Sequence, residues 1–196
     1  DTSDREAAKE MIERTVNEFG RLDVLVNNAG ITHIDPAEEF PASKWERVVD
    51  VNLTGVFNCA RAAGSRMLNQ DTKGAIINLS SIAGSVGMPE RTAYTATKAA
   101  VENLTKSLAV EWSRQGIYVN ALAPGYVRTE LVEDTQSDAG FNNPQISERT
   151  PLGRMGTLEE ITSCMLFLAS RNNYVTGEVL HADGGWLAFG WLTDKT

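Results

Sequence analysis

Apolar residues along the chain fall into four short, nearly unbroken runs separated by longer stretches of helical spacing. The runs are "LDVLVNNAG" (22–30), "GAIINLSS" (74–81), "IYVNALAPG" (117–125) and "GEVLHADGG" (177–185). Such short runs, apolar at successive positions and closing on small or polar residues, predict strands buried on both faces. The intervening stretches predict helices over 3–19, 43 to about 67, 92–114 and 158–170. In the first, Ser3 is the capping candidate, Ala7, Met11, Val16 and Phe19 form the apolar face, and Gly20 terminates it. Strands alternating with helices predict an α/β fold with a doubly wound parallel sheet, in a single domain covering 1–196. Residues 131–150 are polar with few regularly spaced apolar positions. They are expected to form a long loop or lid within a wider substrate region at 126–156.

Three of the predicted strands end in small or polar residues: 27–30, Ser80 with Ser81, and Pro124 with Gly125. Ligands of open parallel sheets bind beyond the carboxyl ends of the strands, so these turns should converge on one crevice. Composition narrows what could occupy it. The 196 residues are 42% hydrophobic and 22% charged, ordinary for one globular core, and the net charge is -8. That charge disfavours nucleic acid and anionic membrane as partners and leaves small molecules. No run approaches the ~20 apolar residues of a membrane span. Cys59 and Cys164 lie in apolar helical segments without CxxC spacing, as free thiols of a reducing, cytoplasmic protein would. His33 and His181 have no metal-ligand spacing, so no metal site is expected.

The candidate chemistry centres on "AYTATKAA" (93–100), where Tyr94 and Lys98 stand four residues apart and would share one helical face. Tyrosine ordinarily loses its proton near pH 10, so acid/base work near neutrality asks for a shift of about 3 units, or ~4 kcal/mol. A neighbouring ammonium acts in that direction. Alone, the spacing permits a proton-transfer pair without requiring one.

The ordered set "NNAG" (27–30), "VNLTG" (51–55), "INLSS" (77–81), "YTATK" (94–98) and "PGYVRTE" (124–130) resembles the short-chain dehydrogenase/reductase family. The likeness extends to "PLGRMGTLEEI" and "VTGEVLHADGG" and so covers essentially the whole chain. The resemblance implies a Rossmann-like sheet and an NAD(P)-dependent oxidoreductase acting on a secondary alcohol or ketone. The family's catalytic serine stands 13 positions before the tyrosine, which selects Ser81 over Ser80. Tyr94 would then move the proton, Lys98 would support its phenolate and bind the nicotinamide ribose, and Ser81 would hold the substrate oxygen. Asn52 matches the family's fourth catalytic position, where it interrupts a long helix and keeps a water; a buried amide satisfying backbone is the alternative. For NAD or NADP, the resemblance implies contacts from Asp1, from Asn27, Asn28, Ala29 and Gly30, from Pro124 and Gly125, and from Val127 and Thr129.

The family's glycine-rich phosphate turn, which follows its first strand, is not in this sequence. By the family's layout, two strands with their helices, on the order of 60 residues, are expected to precede Asp1 in a longer protein. A polypeptide ending at Asp1 is expected to show no turnover. The residues that separate NAD from NADP also belong to that part. The resemblance further implies a homotetramer, with Trp191 near a neighbour's site. Substrates expected from it are a small sugar, polyol or similar carbonyl compound, or else a 3-oxoacyl thioester on an acyl carrier protein. A non-catalytic protein that only oligomerises is the remaining alternative.

Overall fold

The first helix, α1 (Arg5–Phe19), starts where Asp4 accepts hydrogen bonds from the backbone N–H groups of Glu6 and Ala7. The cap is therefore Asp4 and not Ser3, which instead hydrogen-bonds the Asp1 carboxylate. The helix's buried residues are Ala8 and Ile12, with Val16 packed beside them, while Met11 and Phe19 are exposed. The apolar face is thus offset by one residue from the predicted one. Gly20 ends the helix at φ +79°, a left-handed conformation suited to glycine. The computed structural model describes residues 1–128 and 143–190.

The described strands are β1 (Val24–Asn27), β2 (Ala75–Leu79), β3 (Tyr118–Pro124) and β4 (Val179–Ala182), paired in parallel in that order. Between β1 and β2 run α2 (Ala42–Val49) and α3 (Gly55–Leu68), and between β2 and β3 runs α4 (Thr92–Trp112). Of the stretch predicted as loop at 131–150, the described part contains a short helix, α5 (Asn143–Arg149). Pro144 in its first turn removes no helical hydrogen bond, and its one deeply buried side chain is Ile146. A single apolar anchor in two turns leaves no periodicity to read. Last comes α6 (Leu158–Ala169), which opens with a reciprocal cap between Thr157 and Glu160.

Alternating side chains of the strands divide the core. Leu25, Ile76 and Val119 join a cluster with Ala8 and Ile12 of α1, Cys59, Ala60, Ala63 and Met67 of α3, and Leu108 and Ala109 of α4. Ile77, Leu79 and Leu122 pack on the other side against Leu168 of α6. Helices on both faces give the doubly wound architecture. A glycine lets α3 approach α4 closely: a Cβ on Gly64 would stand 2.6 Å from the Trp112 ring. Gly64→Ala should therefore destabilise by about 1–3 kcal/mol, although the same change in an open helix stabilises by about 1 kcal/mol. A urea midpoint that rises in this variant would contradict the packing described.

Candidate active site

The carboxyl end of β2 delivers two serines with different fates. Ser80 is 4% exposed and points inward, while the Ser81 hydroxyl accepts a hydrogen bond from Ala83 N–H at 3.1 Å and caps a short turn, Ile82–Gly84. The Tyr94 phenol lies close enough to the Ser81 hydroxyl for Ser81 to act on its acidity. Tyr94 lies in the first turn of α4 and Lys98 one turn later, with its Nζ 5.5 Å from the Tyr94 ring centroid. The predicted serine, tyrosine and lysine therefore meet in one place, contributed by a strand end and a helix.

Lys98 is 5% exposed, and its ammonium donates to the Leu79 carbonyl at 2.7 Å. Burial lowers its pKa to about 8. The Tyr94 phenol is held above its ordinary value, again chiefly by burial, and the Ser81 hydrogen bond works in the opposite direction. In the protein without cofactor, Tyr94 is thus a neutral proton donor at physiological pH rather than a phenolate.

Asn52 sits in a wide turn of π type, Asp50–Thr54, inserted between α2 and α3. The helix predicted over 43 to about 67 is interrupted at this asparagine, as the resemblance implied. Its side chain is fully buried, accepting from Ile31 N–H and donating to Ile31 C=O, both at 2.8 Å. Nδ2 also reaches Thr97 Oγ1 at 3.3 Å, and Thr97 Oγ1 donates to Tyr94 C=O at 2.9 Å. The amide satisfies backbone and ties the loop after β1 to the helix bearing Tyr94.

Among the expected cofactor residues, Asn28, Ala29 and Gly30 are exposed at the end of β1. A Cβ on Gly30 would lie 3.5 Å from Lys98 Nζ and 3.6 Å from Asn52 Oδ1, so a larger side chain there would cover the lysine. The open backbone turn above Lys98 fits a flat ligand seated against it. Asn27 differs: its amide donates to Asn78 Oδ1 at 2.9 Å, and Asn78 in turn donates to Thr105 Oγ1 at 2.9 Å. That buried chain links β1, β2 and α4, and it directs the Asn27 side chain away from the crevice. Gly125 packs so closely that a Cβ would meet Asp183 Cα at 2.8 Å, and its N–H donates to Ala182 C=O, following Pro124 at the end of β3. Val127 forms a bridge with Gly156, which returns the chain towards α6. Thr129 lies outside the described residues. Asp1 is exposed, and its carboxylate binds Ser3 and, at 3.1 Å, Arg47 of α2.

Residues around the site that the sequence did not single out are Thr97, the Leu79 carbonyl and Glu102, whose Oε1 receives Ser80 Oγ at 2.8 Å. A threonine inside "YTATK" was a visible signal; a carbonyl at a strand end was not. His181 of β4 approaches Ser85 at 3.2 Å, and among the described residues no group of three or more His, Cys, Asp and Glu is placed to hold a metal. Trp186 and Phe189 pack on their own chain, each 4.9 Å from the Arg149 guanidinium, with the Tyr126 ring tilted at 56° against Trp186. Trp191, expected near a neighbour's site, lies outside the described residues.

Comparison with known proteins agrees with this geometry. Residues 1–187 match the short-chain family described as enoyl-(acyl carrier protein) reductase. The 3-oxoacyl-(acyl-carrier-protein) reductase FabG of Staphylococcus aureus strain Mu50 is 44% identical over 184 residues, covering 93% of this chain and 73% of the relative. Gluconate 5-dehydrogenase of Gluconobacter oxydans is 38% identical over 186 residues, covering 94% and 72%. A crystal structure of gluconate 5-dehydrogenase from Burkholderia cenocepacia, in complex with NADP and tartrate, superposes with a TM-score of 0.90 at 38% identity, covering 96% of this chain and 74% of that one. The chain belongs to the short-chain dehydrogenase/reductase family of NAD(P)-dependent oxidoreductases.

Proposed function

We propose that the protein interconverts a secondary alcohol and a ketone of a small free substrate, a sugar, polyol or similar compound, with Ser81, Tyr94 and Lys98 performing the proton chemistry. The observation that carries this reading is the convergence of Ser81, Tyr94 and a buried Lys98, whose Nζ lies 5.5 Å from the Tyr94 ring centroid, at the carboxyl ends of parallel strands. Bound NAD(P)H supplies the hydride. Tyr94 gives its proton to the carbonyl oxygen as charge develops there, and Ser81 orients the same oxygen by hydrogen bonding. Lys98 places a positive charge beside the phenolate left behind. Asn28, Ala29, Gly30, Pro124, Gly125 and Val127 frame the cofactor crevice, Asp1 and Thr129 are the remaining expected cofactor contacts, and the stretch 126–156 is assigned to substrate recognition.

The small free substrate is favoured over a thioester on an acidic carrier protein by the net charge of -8. Two arginines in the 126–156 stretch are engaged internally: Arg149 with the carbonyls of Trp186 and Phe189, and Arg154 with Glu160. The 44% identity to FabG is the observation that favours the thioester reading instead. Steady-state assays on a panel of ketoses, polyols, hydroxy acids and 3-oxoacyl thioesters, each with NADH and NADPH, decide between them. Efficient turnover of 3-oxoacyl thioesters alone would overturn the small-substrate reading, and failure to bind either dinucleotide would overturn both.

A homotetramer is part of this proposal. Phe57 of α3 and Val110 of α4 are exposed, as are Leu158, Leu166 and Phe167 of α6, and apolar groups on long helices suit self-association. A monomer in sedimentation would contradict it. A reducing, cytoplasmic setting accords with Cys59 and Cys164 as free thiols. No helix among the described residues is long and apolar enough to cross a membrane.

A further inference from the structure

Ser81 must hold one position relative to Tyr94, yet the two side chains come from different elements. The turn carrying Ser81 has to be fastened to α4. The neighbouring serine supplies one attachment: Ser80 Oγ stands 2.8 Å from Glu102 Oε1 and 3.2 Å from Lys98 C=O. A hydroxyl has one proton, and the carboxylate is the stronger acceptor, so that proton belongs mainly to Glu102. The second attachment is steric. A Cβ on Gly84, at the end of the same turn, would collide with Glu102 Oε1 and Cδ, so glycine lets the turn close directly onto the carboxylate. Between these two points lies Ser81, with its hydroxyl held by Ala83 N–H.

Glu102 follows Lys98 by four residues and Tyr94 by eight, on the same helix. A half-buried carboxylate on this part of α4 thus hydrogen-bonds one side of the Ser81 turn and packs closely against the other. We propose that Glu102 is a positioning residue, which clamps the turn from Ser80 to Gly84 onto α4 and so fixes the Ser81 hydroxyl relative to the Tyr94 phenol. The inference rests on the proton-transfer reading of Ser81 and Tyr94 for its effect on rate. Its geometric content can be read without turnover.

The test uses Glu102→Ala, Glu102→Gln and Ser80→Ala in the full-length protein labelled with 13C-tyrosine. The Tyr94 Cζ resonance, assigned with Tyr94→Phe, reports the Ser81 hydrogen bond, and Ser81→Ala supplies its position when that bond is lost. In Glu102→Ala and Ser80→Ala the resonance should move towards the Ser81→Ala position. The kcat should fall roughly 10- to 100-fold, as expected for a reacting group misplaced by up to an ångström. NAD(P)H affinity should stay within about twofold, since the cofactor crevice is built from other turns. Glu102→Gln still offers an oxygen to Ser80 and should keep kcat within about threefold of the parent. An unmoved resonance in Glu102→Ala and Ser80→Ala overturns the proposal, as does a glutamine variant as impaired as alanine. Should Glu102→Ala fail to fold, Ser80→Ala, which removes one oxygen atom, decides alone. Failure of the functional reading has a different signature: Tyr94→Phe would keep its turnover whatever the resonance does.

Discussion

Replacing Tyr94 with phenylalanine should lower kcat by about 10³-fold or more, the upper part of the range for loss of a general acid, while NAD(P)H affinity stays within about twofold. The hydroxyl is the only atom removed, so the ring still fills its place in the first turn of α4 and the cavity cost is small. Ser81 remains to hold the substrate oxygen but lacks a neighbour able to give up a proton. Because burial keeps the phenol above its ordinary pKa, it is protonated throughout the neutral range. Reduction should consequently proceed without a prior protonation step. Steady-state kinetics together with fluorescence titration of the dinucleotide measure the two quantities separately. Equal losses of affinity and rate would mean that Tyr94 serves binding rather than proton transfer.

Lys98→Met should lower turnover by about 10²- to 10³-fold, yet leave the protein as stable at pH 7 or more so. Lys98 is buried, and its pKa in the fold is about 8 against about 10.4 in the unfolded chain. Below pH 8 both states carry the proton, and the fold bears the full cost of the buried charge, on the order of 3 kcal/mol. Between pH 8 and about 10.4 the unfolded chain binds more protons than the folded one, so this residue's contribution to stability rises with pH. Methionine preserves the length of the side chain and removes that dependence. Unfolding midpoints of the parent and the variant should therefore converge as pH rises from 7 to 10. The parent's kcat/KM for reduction should also fall above pH 8, as the ammonium is lost. A variant markedly less stable at pH 7 would show that the Leu79 hydrogen bond outweighs the burial cost.

Much of this architecture was legible because parallel sheets demand continuous apolar runs, and Ile76, Ile77, Val119 and Leu122 meet that demand openly in the sequence. The candidate cluster was legible for another reason: helical spacing forces Tyr94 and Lys98 onto one face. What escaped depends on short segments and on backbone. α5 has one deep anchor, Ile146, and no period to betray it. Asn27 looked like a crevice residue because it opens the polar turn, but a strand's alternation sends its amide inward to Asn78. Asp4 displaced Ser3 as the cap because both are competent at adjacent positions and only one meets the N–H groups of Glu6 and Ala7. The elevated Tyr94 phenol also departs from the simple expectation that a nearby lysine lowers it, since burial dominates and the opposing influence comes from Ser81.

The wide turn at Asp50–Thr54 works as a phase shifter. One residue beyond the α-helical count rotates everything upstream by about 100° relative to everything downstream. α2 and α3 can therefore read as one continuous helix while presenting different faces, α2 towards α4 and α3 towards α1, the sheet and the C-terminal part of α4. Removing a single residue from this turn would leave both helices intact and all of their side chains present. It would nonetheless turn Asn52 out of register with Ile31, uncoupling the loop after β1 from the helix that bears Tyr94.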